Sequence, residues 1–221
     1  MRSIVNKHAT AATLDRYQSD VYIITESWLN GESALIHHDY NAMKSPDCPY
    51  EGVAILTRKE IVVTPYRQEL WTKNFVITKI KDTAVIGCYI NPAHKQEHLE
   101  RLWWIIEDLK SSGLSIIAAG DFNETVPNLN RPTAKLGLLI ATGVEFTRIG
   151  TTSRSKIDHI IADVPMSEVI HLESNSNSDH VPIQAVATLT APRAKAKVKQ
   201  VFKKGTDTKA LVNAMWGSNW P

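Results

Sequence analysis

The chain has little that would cross-link or anchor it. Two cysteines, Cys48 and Cys88, in 221 residues exclude a disulfide framework, and two thiols in a reducing compartment is the simpler reading than one bridge. No apolar run approaches the roughly 20 residues of a membrane span. The start, Met1-Arg2-Ser3-Ile4-Val5-Asn6-Lys7, lacks a signal-peptide apolar core, so an intracellular protein with no membrane partner is expected. Net charge is small as well: 25 Lys plus Arg face 23 Asp plus Glu, a formal +2. A polyanionic partner is neither demanded nor excluded by that balance; the placement of the charges decides. What is plentiful is apolar surface. At 43% hydrophobic residues, the chain can bury a large core in one domain.

Short apolar runs fill the middle, with helical patterns between them. Residues 10–17 have helical character, and Asp20-Val21-Tyr22-Ile23-Ile24-Thr25 reads as a strand buried on both faces. Residues 52–56 and 61–64 lie close enough for a hairpin. Residues 75–80 and 84–89 flank Lys81-Asp82-Thr83, a second hairpin turn. Leu99, Leu102, Trp103, Ile106 and Leu109 recur at helical spacing, which predicts a helix over 95–111 with the pair Trp103-Trp104 as core packing. Further strands are expected at 114–119, 157–162, 168–172 and 181–189, and a helical stretch over 133–141. Hairpin-paired strands with a few crossing helices imply two packed sheets flanked by helices, an α/β fold. From Ala191 onward basic and small residues alternate through Lys199. That segment, 191–221, reads first as a solvated basic linker or tail, and second as a phosphate contact.

Acidic signatures close several apolar runs: Ile24-Thr25-Glu26, Ala119-Gly120-Asp121-Phe122-Asn123, Lys156-Ile157-Asp158-His159 and Asn177-Ser178-Asp179-His180. Such groups cost free energy at a packed sheet end unless a metal, a substrate or each other satisfies them. Together they predict a catalytic mouth. Glu26 suits a hard cation such as Mg²⁺, or is simply a cap or surface acid. Asp121 and Asn123 flank Phe122 and can divide phosphodiester hydrolysis, the carboxylate activating a water and the amide binding a phosphate oxygen. An ordinary Asx turn is the plainer alternative. Asp179 and His180 enter a strand pointing to opposite sides, which puts Asp179 toward the metal. His180 then needs another carboxylate, and Asp158 is the candidate. Tyr89 either bonds a phosphate or is a core aromatic with its hydroxyl at the rim.

The ordered set Thr25-Glu26-Ser27-Trp28-Leu29, Gly52-Val53-Ala54-Ile55-Leu56, Tyr89-Ile90-Asn91-Pro92, Gly120-Asp121-Phe122-Asn123, Ser155-Lys156-Ile157-Asp158-His159 and Ser178-Asp179-His180 resembles the endonuclease/exonuclease/phosphatase superfamily. Within it, the resemblance is to the apurinic-type endonuclease domain of non-LTR (LINE-like) retrotransposons. It runs from about Arg2 to Leu189, which sets a domain over 1–190 ahead of the basic segment.

The resemblance implies a four-layered, DNase I-like α/β sandwich of two mixed β-sheets flanked by helices. It implies a Mg²⁺-dependent endonuclease, with Mn²⁺ as an alternative ion, that nicks double-stranded DNA and leaves a 3′-hydroxyl. It also implies a downstream reverse transcriptase domain of the same element, and a nuclear site of action in a eukaryotic host. Glu26 would then be the metal ligand, with Asp179 near the metal, and Asp121 would activate water. Asn123 and Tyr89 would contact the scissile phosphate, Asp158 would orient His180, and Thr147 and Ser155 would line the DNA groove. Family members open with a strand ending in Asn just ahead of a segment like Arg2 to Lys7. Met1 stands at about that point, so the first strand is expected to be missing, or its place filled by another segment. An abasic-site nuclease, a lipid or inositol phosphatase, and a catalytically impaired DNA-binding remnant are the alternative readings.

Overall fold

The structure is a computed structural model that describes residues 14–27, 29, 37–46, 51–173 and 178–189. Two sheets form its frame. In the first, Val53–Arg58 (β3) lies between Val21–Thr25 (β1) and Tyr40–Lys44 (β2), antiparallel to both. Val53, Ala54, Ile55 and Leu56 are all fully buried. That is why this run is apolar at every position instead of alternating.

The second sheet has six strands. In spatial order they are Val63–Pro65 (β4), Phe75–Ile80 (β5), Thr83–Tyr89 (β6), Ser115–Asp121 (β7), Asp158–Ala162 (β11) and Leu139–Ile140 (β8). It is mixed: β6 and β7 run parallel, while the other pairs are antiparallel. The expected hairpin joins β5 to β6, with Ile80 opposite Thr83 across the turn at Lys81 and Asp82. Two short ribbons complete the strands, Arg148–Ile149 (β9) with Arg154–Ser155 (β10), and Ile170–His171 (β12) with Ile183–Gln184 (β13).

The sheets pack face to face, Val53 and Ile55 of β3 meeting Val76 of β5 and Tyr89 of β6 in one cluster. Gly87 permits the approach. A Cβ there would lie 2.8 Å from Val53 Cγ1 and 3.2 Å from Ile23 Cγ2. The opposite face of the larger sheet is covered by the helix Lys95–Ser111 (α1), as its periodicity predicts. Leu99, Leu102, Ile105, Ile106 and Leu109 are buried with Ile77, Ile86 and Ile116. Each such side chain contributes roughly 1.5–3 kcal/mol through burial.

Several local expectations are corrected. The runs at 52–56 and 61–64 do not form a hairpin, because β3 takes β1 and β2 as partners while β4 joins β5 in the other sheet. The stretch 133–141 is not one helix. Helix α2 runs Val126–Lys135, with Pro127 in its first turn, and the chain then turns at Gly137 (φ 67°) into β8. The tryptophan pair divides: Trp103 packs against the core, whereas Trp104 is 53% exposed. Regular pairing over 168–172 and 181–189 shrinks to β12 and β13. Residues 14–17 are helical. Cys48, the basic segment from Ala191 and the place of a first strand ahead of residue 14 lie outside the described residues. No described helix is long and apolar enough to cross a membrane.

Because Gly87 sits where the two sheets meet, Gly87→Val should lower stability by about 1–3 kcal/mol through overpacking. Chemical denaturation measures it; an unchanged midpoint would show that the sheets part without cost.

Candidate active site

Strand register assembles the site. In the parallel pair β6–β7 Tyr89 stands opposite Asp121, and in the antiparallel pair β11–β7 Asp158 stands opposite the same Asp121. Neighbouring strands lie about 4.8 Å apart, so a phenol and two carboxylates form one row. Gly120 makes the register feasible. Its φ is 147°, and a Cβ there would fall 1.9 Å from the Cys88 carbonyl oxygen. Cys88 itself is fully buried and unbridged, and burial pushes its thiol pKa up.

After Asp121 the chain turns through Phe122, which is fully buried, and Asn123, at φ 44°. The Asn123 N–H donates to Asp121 Oδ1 at 2.9 Å. Its side-chain amide donates to Asp121 Oδ2 at 3.2 Å and to the Ile90 carbonyl at 3.0 Å. The Asx turn is therefore present, and it aims the Asp121 carboxylate.

His180 closes the row. Its Nδ1 lies 2.9 Å from Asp158 Oδ2 and 3.1 Å from Oδ1, and its Nε2 lies 3.9 Å from Asp121 Oδ2. Burial acts to lower the His180 pKa, but the hydrogen bond and charge of Asp158, helped by Asp121, outweigh it and raise the value. Asp121 is pushed up to about 7, by burial first and then by Asp158, against the pull of His180 and the Asn123 N–H. A carboxylate poised there can exchange a proton near neutral pH.

Two expected groove residues sit on the supporting loops. Thr147 is fully buried, and its hydroxyl accepts the N–H groups of Ile157 at 3.1 Å and Asp158 at 2.9 Å. It holds Asp158 from inside. Ser155 is half-buried on β10, opposite Arg148. Arg148, which sequence reasoning missed, donates from Nε to Asp179 Oδ2 at 2.8 Å, and that bond raises its pKa. Nothing local marks Arg148. It reaches the site because its backbone bridges to His180.

On the other wall Glu26, at φ 49°, accepts the Tyr89 hydroxyl on Oε1 at 3.0 Å. Burial, then Glu26, raises the Tyr89 pKa, so the phenol stays protonated as the donor. The Ser27 hydroxyl beside Glu26 is buried without a hydrogen-bond partner. A groove of about 690 Å³ between residues 18–25 and 180–189 opens at Asp158 and His180.

The donor set suits a hard cation. Glu26, Asp121, Asp158 and Asp179 offer carboxylate oxygens, the ligands Mg²⁺ takes, and Asp121 is raised partly by the crowding of Asp158 and Glu26. Asp121, Asp158 and His180 bring ligand atoms within 4.8 Å of one another. His180 Nδ1 is committed to Asp158, however, so the carboxylates carry the fit. Asp15, His37 and His38 form a second such group. There His37 Nδ1 accepts the Asp39 N–H at 3.1 Å, and Nε2 stands 3.3 Å from Asp15 Oδ1. His159 is structural: its Nε2 donates to the Glu124 carbonyl at 2.8 Å, and burial lowers its pKa.

Known proteins bear on these observations. A sequence profile of the endonuclease/exonuclease/phosphatase family matches residues 5–180. No curated protein matches the chain. Among solved structures, the endonuclease domain of TRAS1, a telomere-specific non-LTR retrotransposon, superposes with a TM-score of 0.68 at 18% identity, over 82% of this chain and 93% of that one. A Neisseria 3′ phosphatase, NExo, bound to a product DNA hairpin gives 0.68 at 16% identity, over 85% and 96%. An AP endonuclease from Archaeoglobus fulgidus gives 0.65 at 16% identity, over 85% and 96%. At these identities the likeness is one of fold: a DNase I-like α/β architecture.

Since Asp158 contributes most of what raises the His180 pKa, Asp158→Asn should make His180 titrate at lower pH than in the parent. An NMR titration of the imidazole protons reads this directly; an unmoved midpoint would assign the rise to another group.

Proposed function

The chain belongs to the endonuclease/exonuclease/phosphatase family, and on that premise we propose that it is a metal-dependent DNA endonuclease that leaves a 3′-hydroxyl nick. The observation that carries this reading is the closed row Tyr89–Asp121–Asp158 with His180 across it. It joins a proton acceptor poised near neutrality to an imidazole whose protonated form Asp158 favours, which suits water attack on a phosphodiester.

In the proposed reaction Asp121 orients a water and takes its proton as the water oxygen bonds to phosphorus. The P–O3′ bond breaks, and the departing 3′ oxygen is protonated from solvent. His180, kept protonated by Asp158, stabilises the negative charge that builds on the phosphate oxygens. Asn123 exchanges its bond to Asp121 Oδ2 for one to a phosphate oxygen, while the Ile90 carbonyl holds the amide in plane. The Tyr89 phenol lies on the same side and contacts the phosphate. Glu26 would hold Mg²⁺, or Mn²⁺ in its place, with Asp179 near it; when bound, the ion would supply positive charge against the phosphate. Ser155 belongs to the surface that meets double-stranded DNA, and Thr147 serves the contact through the backbone it fixes. A downstream reverse transcriptase domain of the same element extends the 3′-hydroxyl. The TRAS1 likeness favours this retroelement reading, the 1–190 domain being its endonuclease and 191–221 a basic linker.

Assays of plasmid nicking, abasic-duplex cleavage and phosphoinositide hydrolysis run side by side decide the substrate. Nicking is expected to lead; preferred hydrolysis of the lipid headgroup would overturn the DNA assignment. Asp121→Ala and His180→Ala should each lower the nicking rate by about 10²- to 10⁴-fold with unchanged melting temperature. Rates within a few-fold of the parent would remove the role given to that residue. Glu26→Gln keeps the volume without the charge, so it should raise the Mg²⁺ concentration for half-maximal cleavage. An unshifted titration would place the ion elsewhere.

A further inference from the structure

Glu51 has no part in the mechanism above, yet its carboxylate ties together the wall that carries Tyr89. Its Oε1 accepts the Asn91 side-chain amide at 2.5 Å, and its Oε2 accepts the Asn74 side-chain amide at 3.4 Å and lies 3.1 Å from Lys73 Nζ. Asn74, nearly fully buried, grips Tyr89 by the backbone. The Asn74 carbonyl accepts the Tyr89 N–H at 2.9 Å, and the Asn74 amide donates to the Tyr89 carbonyl at 3.0 Å. Asn91, two residues past Tyr89, donates its own N–H to His98 Nδ1 at 3.1 Å and caps the turn leading into α1. The Glu51 side chain therefore holds the β6 end on both sides of Tyr89.

The backbone at Glu51 is held to the opposite wall. Glu51 lies at φ 82° and Gly52 at φ 93°, and the Gly52 carbonyl accepts the Ser27 N–H at 2.9 Å, directly after Glu26. Positive φ at a non-glycine residue is strained and persists only where the surroundings enforce it. Here they do so between the two residues whose side chains meet, Glu26 and Tyr89. One turn thus fixes the Glu26 loop through its backbone and the Tyr89 strand end through its side chain.

We propose that Glu51 is a positioning residue that sets the Tyr89 hydroxyl against Glu26. It touches no reacting atom in the mechanism above; it works by holding Asn74 and Asn91. This rests on the phosphodiesterase reading for its kinetic consequence, but its structural consequence stands apart from that reading. The carboxylate is required because it faces amide and ammonium donors only; a glutamine offers one acceptor oxygen and turns an N–H₂ toward another donor.

A double-mutant cycle with Tyr89→Phe tests it, together with ¹⁹F NMR of protein labelled with 3-fluorotyrosine, the Tyr89 resonance being the one lost in Tyr89→Phe. Glu51→Ala should lower kcat for plasmid nicking roughly tenfold, with KM for DNA changed less than about twofold. Glu51→Gln should recover part of that loss through the Asn91 bond. In the Tyr89→Phe background Glu51→Ala should change kcat less than about twofold, since coupled residues are not additive. The Tyr89 resonance should shift or broaden in Glu51→Ala. Equal kcat losses in both backgrounds, or an unmoved Tyr89 resonance, would overturn the proposal. If the parent protein does not nick DNA, the function assignment fails, and the resonance still decides the role of Glu51.

Discussion

A side-chain carbon on residue 120 would stand 1.9 Å from the Cys88 carbonyl oxygen, and the site depends on that space being empty. With glycine there, β7 lies against β6 in the register that brings Tyr89 beside Asp121, and the antiparallel β11 then adds Asp158 to the same row. A one-residue slip would send alternate side chains to the other face of the sheet and carry Asp121 away from both partners. The carboxylates are thus held by the backbone ladder of the sheet, and no side-chain contact has to bring them together against their repulsion.

Electrostatics follow from that placement. Of the two carboxylates in adjacent strands Asp121 is the more buried, and that burial with the neighbouring charge of Asp158 raises its pKa. His180 relieves the pair from above. It engages Asp158 closely and Asp121 at longer range, which gives the two acids different surroundings. Asn123 reinforces the difference by donating twice to Asp121. Each residue type in the row is explained by what its neighbours leave unsatisfied.

Much of this was legible in the sequence for one reason: short apolar runs carry few polar groups, so a carboxylate at their end stands out. Glu26, Asp121 and Asp158 were visible in that way, as were α1 and the β5–β6 hairpin, whose signals are local. The remainder depended on partners far along the chain. That β3 and β4 part into different sheets is decided by β1 and β5, not by the loop between them. Arg148 and Glu51 sit in polar stretches with no periodicity; they matter through Asp179, Asn74 and Asn91, which no spacing rule connects to them. Thr147 was singled out as a surface group by resemblance, and only packing shows its hydroxyl turned inward to the Asp158 amide.

The order of the strands also has a consequence for how the molecule forms. The β5–β6 hairpin closes over a two-residue turn, but the pair β6–β7 can form only after α1 has been laid across, and β11 arrives some forty residues later along the chain. His180 joins after that. Loop closure over such distances is slow compared with hairpin and helix formation. The residues of the row are therefore among the last to meet in a refolding chain. Partly folded forms would carry the β5–β6 hairpin and α1 with the acids still apart, so local secondary structure would return before the row is assembled.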